Sequence, residues 1–321
     1  MDEIFKSLTN LIKTSDNIIL MTHRNMDLDG FGASLGLYEI IKSFNKKPHI
    51  FISEKKNNKS ILKAFKFLDN ENIDYITKKN YQNYLNDKSL LIILDTHRFD
   101  IIEYPEILEK TNNVVVIDHH VKGLNYIKNT VLSYIDYKLS STNEIIVNYI
   151  KYLNKKISPL VATIMLSGIE IDTNSFNLKT TSDTYEAAAY LMDQGALNEL
   201  KQELLKESKE EFVRKQEFIK DSFMINDNMA LCLLDDIIHD QEFLSSIADE
   251  LLQFDGVKAS FVIGKIDIDT IGISARSLDK IDVEEYMSKL GGGGHTNEAA
   301  TQIKNSTIKD VSNKLLTIVG D

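Results

Sequence analysis

Aspartate and histidine side chains follow three short apolar segments of the sequence. The segments are IILMTHRNMDLD (18–29), LLIILDTH (90–97) and VVVIDHH (114–120). The chain of 321 residues has only seven histidines, and four of them lie in these segments. Mixed imidazole and carboxylate ligands suit Mn²⁺, Fe²⁺, Co²⁺ or Zn²⁺, whereas Ca²⁺ prefers oxygen ligands alone. The three segments therefore predict a site for divalent transition-metal ions.

These candidate ligands can converge if the three segments are parallel strands of one open sheet, because ligands bind outside the carboxyl ends of such strands. With the aspartate of IEIDTNSF added, the candidates are His23, Asp27, Asp29, Asp95, Asp118, His119, His120 and Asp172. Crowded carboxylates disfavour one another's ionisation, and two divalent ions would neutralise most of their charge. Two ions about 3.5–4 Å apart can activate a water and stabilise the leaving oxygen at phosphorus. The pattern thus predicts phosphoester hydrolysis.

A simpler interpretation exists for each of these residues taken alone. A single aspartate at a strand end more often caps a helix, and a single buried histidine more often makes a hydrogen bond in the core. Three strand ends that each carry both residue types are hard to explain by capping, which favours the metal interpretation. Two interpretations stay open for Asp118, a direct ligand or a residue that orients His119. His97 is either a support behind the ligands or a surface residue.

Strand-like and helical patterns alternate from residue 17 to about residue 135. Helical patterns such as Gly32–Phe44 and Lys59–Leu68 separate the apolar runs. The alternation predicts an α/β fold with a doubly wound, mostly parallel sheet. Runs that are apolar at every position, such as Val114–Ile117, suit strands covered on both faces. The predicted strands are Asn17–Thr22, His49–Ser53, Ser89–Asp95, Asn113–Ile117 and Leu132–Ile135.

Helical patterns dominate the middle of the chain and a second α/β pattern follows. A capping-box pattern at Ser141–Glu144 predicts a helix to about Leu153, and Ser158 with Pro159 opens another. The charged segment Glu199–Asp221 has helical composition and is expected to bridge two domains. Beyond it the sequence predicts strand, helix, strand, strand and helix at Met229–Leu234, Phe243–Phe254, Val257–Ile263, Thr270–Ser277 and Val283–Leu290.

This organisation predicts a metal-binding domain at residues 1–195, a helical linker at 196–222 and a smaller substrate-binding domain at 223–321. A strand at Thr270–Ser277 would place Ser274 and Arg276 together on the face opposite the apolar side chains. Arginine offers a forked, permanently charged donor to phosphate oxygens. Glycine runs are often linkers or helix caps, but a short run ending in His295 can also let a phosphate approach backbone N–H groups. The predicted phosphate-binding residues are Ser274, Arg276, Gly291, Gly292, Gly293, Gly294 and His295, facing the metal site across a cleft between the domains.

Composition limits the class of protein and of partner. The net charge of −11 argues against a long nucleic acid, which needs a basic surface, but not against a small phosphorylated substrate. No apolar run approaches the roughly 20 residues that span a bilayer. The acidic start MDEIFKSLTN is unlike a signal peptide, and a single cysteine fits a reducing compartment. The expected location is the cytoplasm.

The motifs resemble those of the DHH phosphoesterase superfamily. DHH at 118–120, HRNMDLD before it and GIEIDTNSF after it carry the resemblance in the first domain. ISARS at 273–277 and GGGGH at 291–295 resemble the glycine-rich DHH-associated domain. Within the superfamily, VKASFVIGK, TIGISARSLDKIDV, LGGGGH and AATQ are most similar to the catalytic part of the cyclic-di-AMP phosphodiesterases.

That resemblance implies a pair of manganese ions and favours a homodimer. Carried over by position, His23, Asp27 and Asp95 would hold one ion. The other would be held by Asp29, Asp95, His119 and Asp172, with Asp95 bridging. His120 would lie against the substrate phosphate or complete the ligand shell. Glu298 departs from the family pattern, which has a neutral residue near that point, and this bears on substrate preference.

We therefore expect a manganese-dependent phosphodiesterase that hydrolyses the second messenger cyclic-di-AMP to pApA, with onward cleavage to AMP left open. Water activated by two metal ions would attack phosphorus while Arg276 stabilises the developing charge. The enzymatic alternative is an oligoribonuclease (nano-RNase) and 3'-phosphoadenosine-5'-phosphate phosphatase. The non-enzymatic alternative is a nucleotide-sensing module, although no expected ligand is missing. The residues that read the base are not visible in the sequence.

Overall fold

The computed structural model describes residues 1–52, 58–123, 125–278 and 281–320, without the side chains of residues 236 and 295. The chain divides into two compact units, Met1–Lys206 and Glu207–Asp321. Each unit contains one six-stranded sheet with helices packed on it. The predicted fold class, a mixed α/β architecture with a parallel sheet and a second sheet domain, is confirmed. The cleft between the domains and the domain boundaries stay predictions.

The sheet of the first unit is entirely parallel. Its strands are β1 (Asn17–Met21), β2 (Lys47–Phe51), β3 (Tyr75–Ile76), β4 (Leu90–Leu94), β5 (Val114–Asp118) and β6 (Leu132–Ile135). The order across the sheet is β3-β2-β1-β4-β5-β6, and each neighbouring pair is parallel. The strand order reverses between β1 and β4. In open parallel sheets, that reversal is where a crevice forms at the carboxyl ends of the strands.

Both faces of this sheet are covered. Alternate residues of β4 enter different cores: Leu90, Ile92 and Leu94 pack in one, Leu91 and Ile93 in the other. The first core is completed by α-helices, the second by loops and the 3-10 helices Tyr81–Tyr84 and Pro105–Glu109. The helices of this unit are α1 (Asp2–Thr14), α2 (Leu28–Ser43), α3 (Lys59–Phe67), α4 (Thr142–Tyr152), α5 (Pro159–Asp172), α6 (Ser182–Asp193) and α7 (Asn198–Leu205).

The second unit has a mixed sheet. Its strands are β7 (Phe223–Asn226), β8 (Met229–Ile238), β9 (Ala259–Asp267), β10 (Thr270–Ser277), β11 (Gly293–His295) and β12 (Glu298–Lys304). Their order is β11-β12-β10-β9-β8-β7; β8 and β9 are parallel and the other pairs antiparallel. The helices are α8 (Lys209–Lys220), α9 (Gln241–Leu251), α10 (Val283–Lys289) and α11 (Ile308–Gly320).

The charged segment Glu199–Asp221 is two helices, α7 and α8, with the break at residues 206–208. Ser208 begins α8 because its hydroxyl accepts a hydrogen bond from the N–H of Glu211 at 3.2 Å. Strands β3, β7, β11 and β12 and helices α1, α6 and α11 were not predicted from the sequence pattern. Ser53 of a predicted strand lies outside the described residues. Within the described ranges, no helix has both the length and the apolar composition needed to cross a membrane.

Candidate metal centre

The carboxyl ends of β1, β4 and β5 bring the predicted ligands to one edge of the sheet. β4 lies between the other two strands, so the residues after all three strands are neighbours although they are distant in sequence. Three overlapping groups of side chains have ligand atoms within 4.8 Å of one another. They are His23 with Asp27 and Asp95, Asp29 with His119 and Asp172, and Asp95 with His119 and His120.

The ring nitrogens of His23 and His119 lie close to carboxylate oxygens of the neighbouring aspartates. His23 Nε2 lies 3.3 Å from Asp95 Oδ2 and 3.7 Å from Asp27 Oδ2. His119 Nε2 lies 3.1 Å from Asp172 Oδ2 and 3.5 Å from Asp95 Oδ1. Asp95 therefore faces both histidines, one with each carboxylate oxygen, as expected for a bridging ligand.

The donor set fits divalent cations. Both ring nitrogens of His119 are buried and make no hydrogen bond within the described part of the chain. Buried polar atoms normally have a partner, and His119 Nε2 instead points among Asp29, Asp95 and Asp172. An imidazole surrounded by carboxylates is a ligand environment for Mn²⁺, Fe²⁺, Co²⁺ or Zn²⁺.

The electrostatics of the cluster also favour added positive charge. Burial and the charges of Asp172 and Asp95 raise the pKa of Asp29 well above its ordinary value. Burial raises the pKa of Asp172 to about 6, although the neighbouring His119 lowers it. Burial alone would lower the pKa of His119, but Asp172 and Asp95 outweigh it and raise that pKa. The cluster binds protons tightly for the same reason that it would bind cations.

Asp95 is held in an unusual backbone conformation. Its φ is +62°, a left-handed value that costs a non-glycine residue energy and is found disproportionately at functional sites. Its Oδ1 accepts a hydrogen bond from Thr142 Oγ1 at 3.1 Å. The turn after β4 thus directs the Asp95 carboxylate into the cluster.

Asp27 combines the two roles that its position predicts. Its Oδ1 caps α2 by accepting hydrogen bonds from the N–H groups of Asp29 and Gly30, at 3.0 and 3.1 Å. Its Oδ2 is the oxygen that faces His23. The helix cap therefore fixes the orientation of a candidate ligand.

Thr142 and Asn143, at the start of α4, support Asp29 and were not predicted as site residues. The N–H of Thr142 donates to Asp29 Oδ2, and the N–H and Nδ2 of Asn143 donate to Oδ1, each at 2.8 Å. Gly168 makes room for Asn143, because a Cβ on Gly168 would lie 2.2 Å from Asn143 Nδ2. The sequence signal was present as the helix start STNE, which predicted a cap and not a contact with a distant aspartate.

Asp118 connects two other histidines. Its Oδ2 is hydrogen-bonded to His97 Nδ1, and its Oδ1 lies 2.7 Å from His120 Nδ1. Although burial would raise the pKa of Asp118, hydrogen bonds from His120 and His97 lower it well below its ordinary value. Asp118 belongs to none of the three ligand groups. Its hydrogen bond orients His120, whereas one sequence interpretation had it orient His119. His97 is buried, so the surface interpretation of that residue is wrong.

In the second unit, the predicted phosphate-binding residues of β10 lie under α9. Ser274 is fully buried, and its hydroxyl is 2.9 Å from that of Ser245 on α9. Arg276 is partly buried, and its Nε donates to Asp249 Oδ1 at 3.0 Å. Ile271, Ile273 and Ala275 face the opposite side, in the main core of this unit. The predicted division of β10 into an apolar and a polar face is therefore present, and helix α9 covers the polar face.

The local structure explains the presence of glycine at three of the four positions of the run Gly291–Gly294. The N–H of Gly291 donates to Ser288 O and that of Gly292 to Met287 O, the hydrogen bonds of a Schellman motif ending α10. A Cβ on Gly292 would lie 2.2 Å from Ala300 O, and one on Gly294 would lie 2.3 Å from Glu298 O. At Gly293 a Cβ would meet no atom within 4 Å of the described structure. Phosphate binding by this run stays a prediction; His295 pairs with Glu298 through its backbone, and its side chain lies outside the described residues.

Comparisons with known proteins identify two domains in the chain. Residues 17–169 match the model of the DHH family, N-terminal domain, and residues 226–321 match that of the DHHA1 domain. The cyclic-di-AMP phosphodiesterase GdpP of Geobacillus thermodenitrificans is 35% identical over 99% of this chain and 49% of its own length. The bifunctional oligoribonuclease and PAP phosphatase NrnA of Mycoplasma genitalium is 27% identical, over 94% of this chain and 93% of its own length. The chain spans about half the length of the phosphodiesterases that it matches.

A solved structure shares the fold. An exopolyphosphatase-related protein from Bacteroides fragilis superposes with a TM-score of 0.81 at 20% identity, over 99% of this chain and 96% of that one. The DHH match covers the candidate ligands from His23 to His120 and ends three residues before Asp172, and the DHHA1 match covers Arg276 and the glycine run. The chain belongs to the DHH family, with an N-terminal DHH domain followed by a DHHA1 domain.

Proposed function

We propose that this protein is a metal-dependent phosphodiesterase that hydrolyses cyclic-di-AMP to pApA. The observation that carries the proposal is the convergence of His23, Asp27, Asp29, Asp95, His119 and Asp172 into overlapping ligand groups that share Asp95 and His119. A donor set of two imidazoles and four carboxylates suits a pair of divalent cations, and manganese is the metal proposed. The likeness to phosphodiesterases of cyclic-di-AMP over nearly the whole chain supports the substrate.

The bound cations would supply polarisation of a water and of the phosphoryl oxygens. The protein's own contribution is to hold the ligands in place before the substrate arrives. The start of α4 orients Asp29, the cap of α2 orients Asp27, and the left-handed turn after β4 orients Asp95. Each of these carboxylates is fixed by backbone N–H groups or by backbone geometry, so little rearrangement is needed when cations and substrate bind.

His120 is proposed to contact the phosphate. Its side chain is 40% exposed, in contrast to the buried His119 beside it. Asp118 accepts a hydrogen bond from His120 Nδ1, which fixes the orientation of the imidazole ring. Arg276, in the second unit, is proposed to bind a phosphate oxygen through its guanidinium.

A second function is kept because of one specific comparison. The oligoribonuclease and PAP phosphatase NrnA of Mycoplasma genitalium is matched over almost its entire length. Glu298 also departs from the neutral residue expected at its position. We therefore keep hydrolysis of short RNA and of pAp as the alternative substrate class for the same metal centre.

The test is a product time course in the presence of Mn²⁺. Cyclic-di-AMP, pApA, pAp and a short RNA are supplied separately at equal concentration, and the products are separated by chromatography. We expect cyclic-di-AMP to be converted to pApA fastest. Faster turnover of pAp or RNA with cyclic-di-AMP intact would assign the alternative, and binding of cyclic-di-AMP without any turnover would indicate a sensing module.

A pair of variants ties the activity to this site. Asp172→Asn removes the charge of a candidate ligand, and we expect turnover to fall at least about 100-fold because mutated ligand sites lose metal or activity. Asp74→Asn is the matched control, since Asp74 pairs with His49 in the same unit outside the ligand groups. Equal activity of both variants would contradict the assigned site.

A further inference from the structure

Arg276 lies between carboxylates from two neighbouring elements. Its Nε donates to Asp249 Oδ1 on α9 at 3.0 Å. On the other side, Arg276 is directly opposite Glu298 in the pairing of β10 with β12, and residues opposite one another in antiparallel strands project to the same face. Burial raises the pKa of Asp249, and the charge of Glu298 adds to that rise.

Helix α9 follows β10 closely on this face. Gln241, Ser245 and Asp249 are spaced four residues apart and so lie on one side of the helix. Gln241 Nε2 donates to Ile273 O, and the hydroxyls of Ser245 and Ser274 are hydrogen-bonded. Asp249 is the last of the three and holds the arginine.

The contacts restrict the guanidinium. Besides the bond from Nε, Nη1 donates to Ala275 O at 3.1 Å and lies 3.5 Å from Ser274 Oγ. No hydrogen-bond partner of Nη2 is found among the described residues. Because a guanidinium is planar and rigid, fixing Nε and Nη1 also fixes the direction in which Nη2 donates.

Stability alone does not account for a carboxylate at this place. Burial and the charge of Glu298 together raise the pKa of Asp249 to about 6, although Arg276 and Lys215 lower it. The surroundings therefore disfavour the charged form overall, even with the arginine beside it. A neutral side chain of similar shape would fit the fold at least as well.

We propose that Asp249 is a positioning residue that holds the Arg276 guanidinium in the orientation that binds a substrate phosphate. The inference rests on the proposed function of Arg276. It assigns a role to Asp249, which belongs to none of the motifs found in the sequence. Without the Asp249 carboxylate, Arg276 keeps its charge but loses the contact that fixes Nε, so substrate binding weakens while the chemistry at the metal centre is unchanged.

The test is a double-mutant cycle with steady-state kinetics on cyclic-di-AMP. The proteins are wild type, Asp249→Asn, Arg276→Lys and the double variant, with Asp255→Asn as a matched control just beyond α9. We expect Asp249→Asn to raise KM about tenfold, as for the loss of one charge-assisted hydrogen bond, with kcat within about twofold. In the Arg276→Lys background the same change should alter KM by less than about twofold, because the positioned group is gone. An unchanged KM in Asp249→Asn, or full additivity in the double variant, would overturn the proposal.

Two further measurements separate the possible failures. Asp249→Asn should melt no earlier than wild type at pH 7.5, which a purely structural role would not give. If that variant does not fold, Asp249→Glu replaces it, because it retains the charge on a longer side chain. It should show a smaller rise in KM, and an unchanged KM in Asp249→Glu overturns the proposal.

Calorimetric binding of pApA to the same proteins tests the role of Asp249 without turnover. If the wild type binds pApA but leaves cyclic-di-AMP intact, the proposed function is contradicted. The same double-mutant cycle, measured as the Kd for pApA, then tests whether Asp249 positions Arg276. A wild type that binds no pApA overturns both.

Discussion

Asp29 experiences two opposing effects in the first unit. Burial and the nearby charges of Asp172 and Asp95 raise its pKa, whereas hydrogen bonds from Thr142 and Asn143 stabilise its ionised form. In the protein without cations the first effect is the larger. A divalent cation would cancel the repulsion and leave the carboxylate oriented by N–H groups, as a supported metal ligand is.

Replacement of Asn143 should therefore weaken metal binding without removing a ligand. We expect Asn143→Ala to lower the affinity for Mn²⁺ by about 10- to 100-fold, because supporting hydrogen bonds have effects of that size. Isothermal titration calorimetry with Mn²⁺ measures the change. Asn148→Ala, on the same helix, is the control; equal affinity of the two variants would show that Asn143 does not act on the site.

Asp249 gives a pH dependence of stability with a defined sign. Its pKa is raised from 3.8 to about 6 in the folded protein, so the folded state binds this proton more tightly than the unfolded chain. Its contribution to stability is therefore lost as the pH rises from about 4 to above about 6. We expect the melting temperature of Asp249→Asn relative to wild type to increase over that range, measured by scanning calorimetry in steps of pH. A difference that stays constant or decreases with pH would contradict the raised pKa.

At the scale of elements, the metal centre depends on the close packing of α2, α4 and α5. Gly32 on α2 and Gly168 on α5 both face Asn143 on α4, and a Cβ on either would lie within 2.8 Å of its side chain. Asp27 caps the start of α2, Asn143 lies in the first turn of α4, and Asp172 ends α5. The three helices therefore place ligands and supports at one end of the sheet only if they approach this closely.

Filling this junction should destabilise the first unit. A Cβ at Gly168 would also lie 2.6 Å from Leu28 O, a backbone atom that cannot easily move. We expect Gly168→Ala to lower the free energy of unfolding by about 1–3 kcal/mol, the usual cost of overpacking, measured by urea denaturation. Gly123→Ala is the control, since within the described part of the chain its Cβ would come no closer than 4.0 Å to a neighbouring atom. A similar small change in both variants would show that the helices adjust.

At the scale of the whole molecule, each hydrophobic core belongs to one unit. Among the described residues, the two cores around the parallel sheet consist of residues before Lys206, and the other three clusters consist of residues after it. All the candidate metal ligands lie in the first unit. A unit with its own core and complete set of ligands is expected to fold and bind metal by itself.

The fragment Met1–Lys206 tests this expectation. We expect it to melt cooperatively and to bind Mn²⁺ with a Kd within about threefold of that of the whole chain, since no ligand is removed. Thermal melts with Mn²⁺ or with EDTA provide the readout, and cations should raise the melting temperature of both proteins. A folded fragment whose melting temperature does not respond to Mn²⁺ would contradict the assignment of the ligands to this unit.

The sequence by itself predicted the residue types of the candidate site, and it predicted the class of fold that the structure confirms. Apolar strands that end in Asp and His predicted a parallel sheet with a metal site at its carboxyl edge, because periodicity and residue type are local properties of the chain. Helix α4 was likewise predicted from its cap, and α5 from its cap and the Pro in its first turn.

Only the tertiary structure decided which groups support that chemistry. The contact of Asn143 with Asp29 joins residues 114 positions apart, and that of Asp249 with Arg276 joins residues on different elements. It also assigned the hydrogen bonds of Asp118 to His97 and His120 and gave Gly291 and Gly292 a role in ending α10. A hydrogen bond between distant residues depends on how helices pack on the sheet, and the spacing of residues along one chain carries no record of that packing.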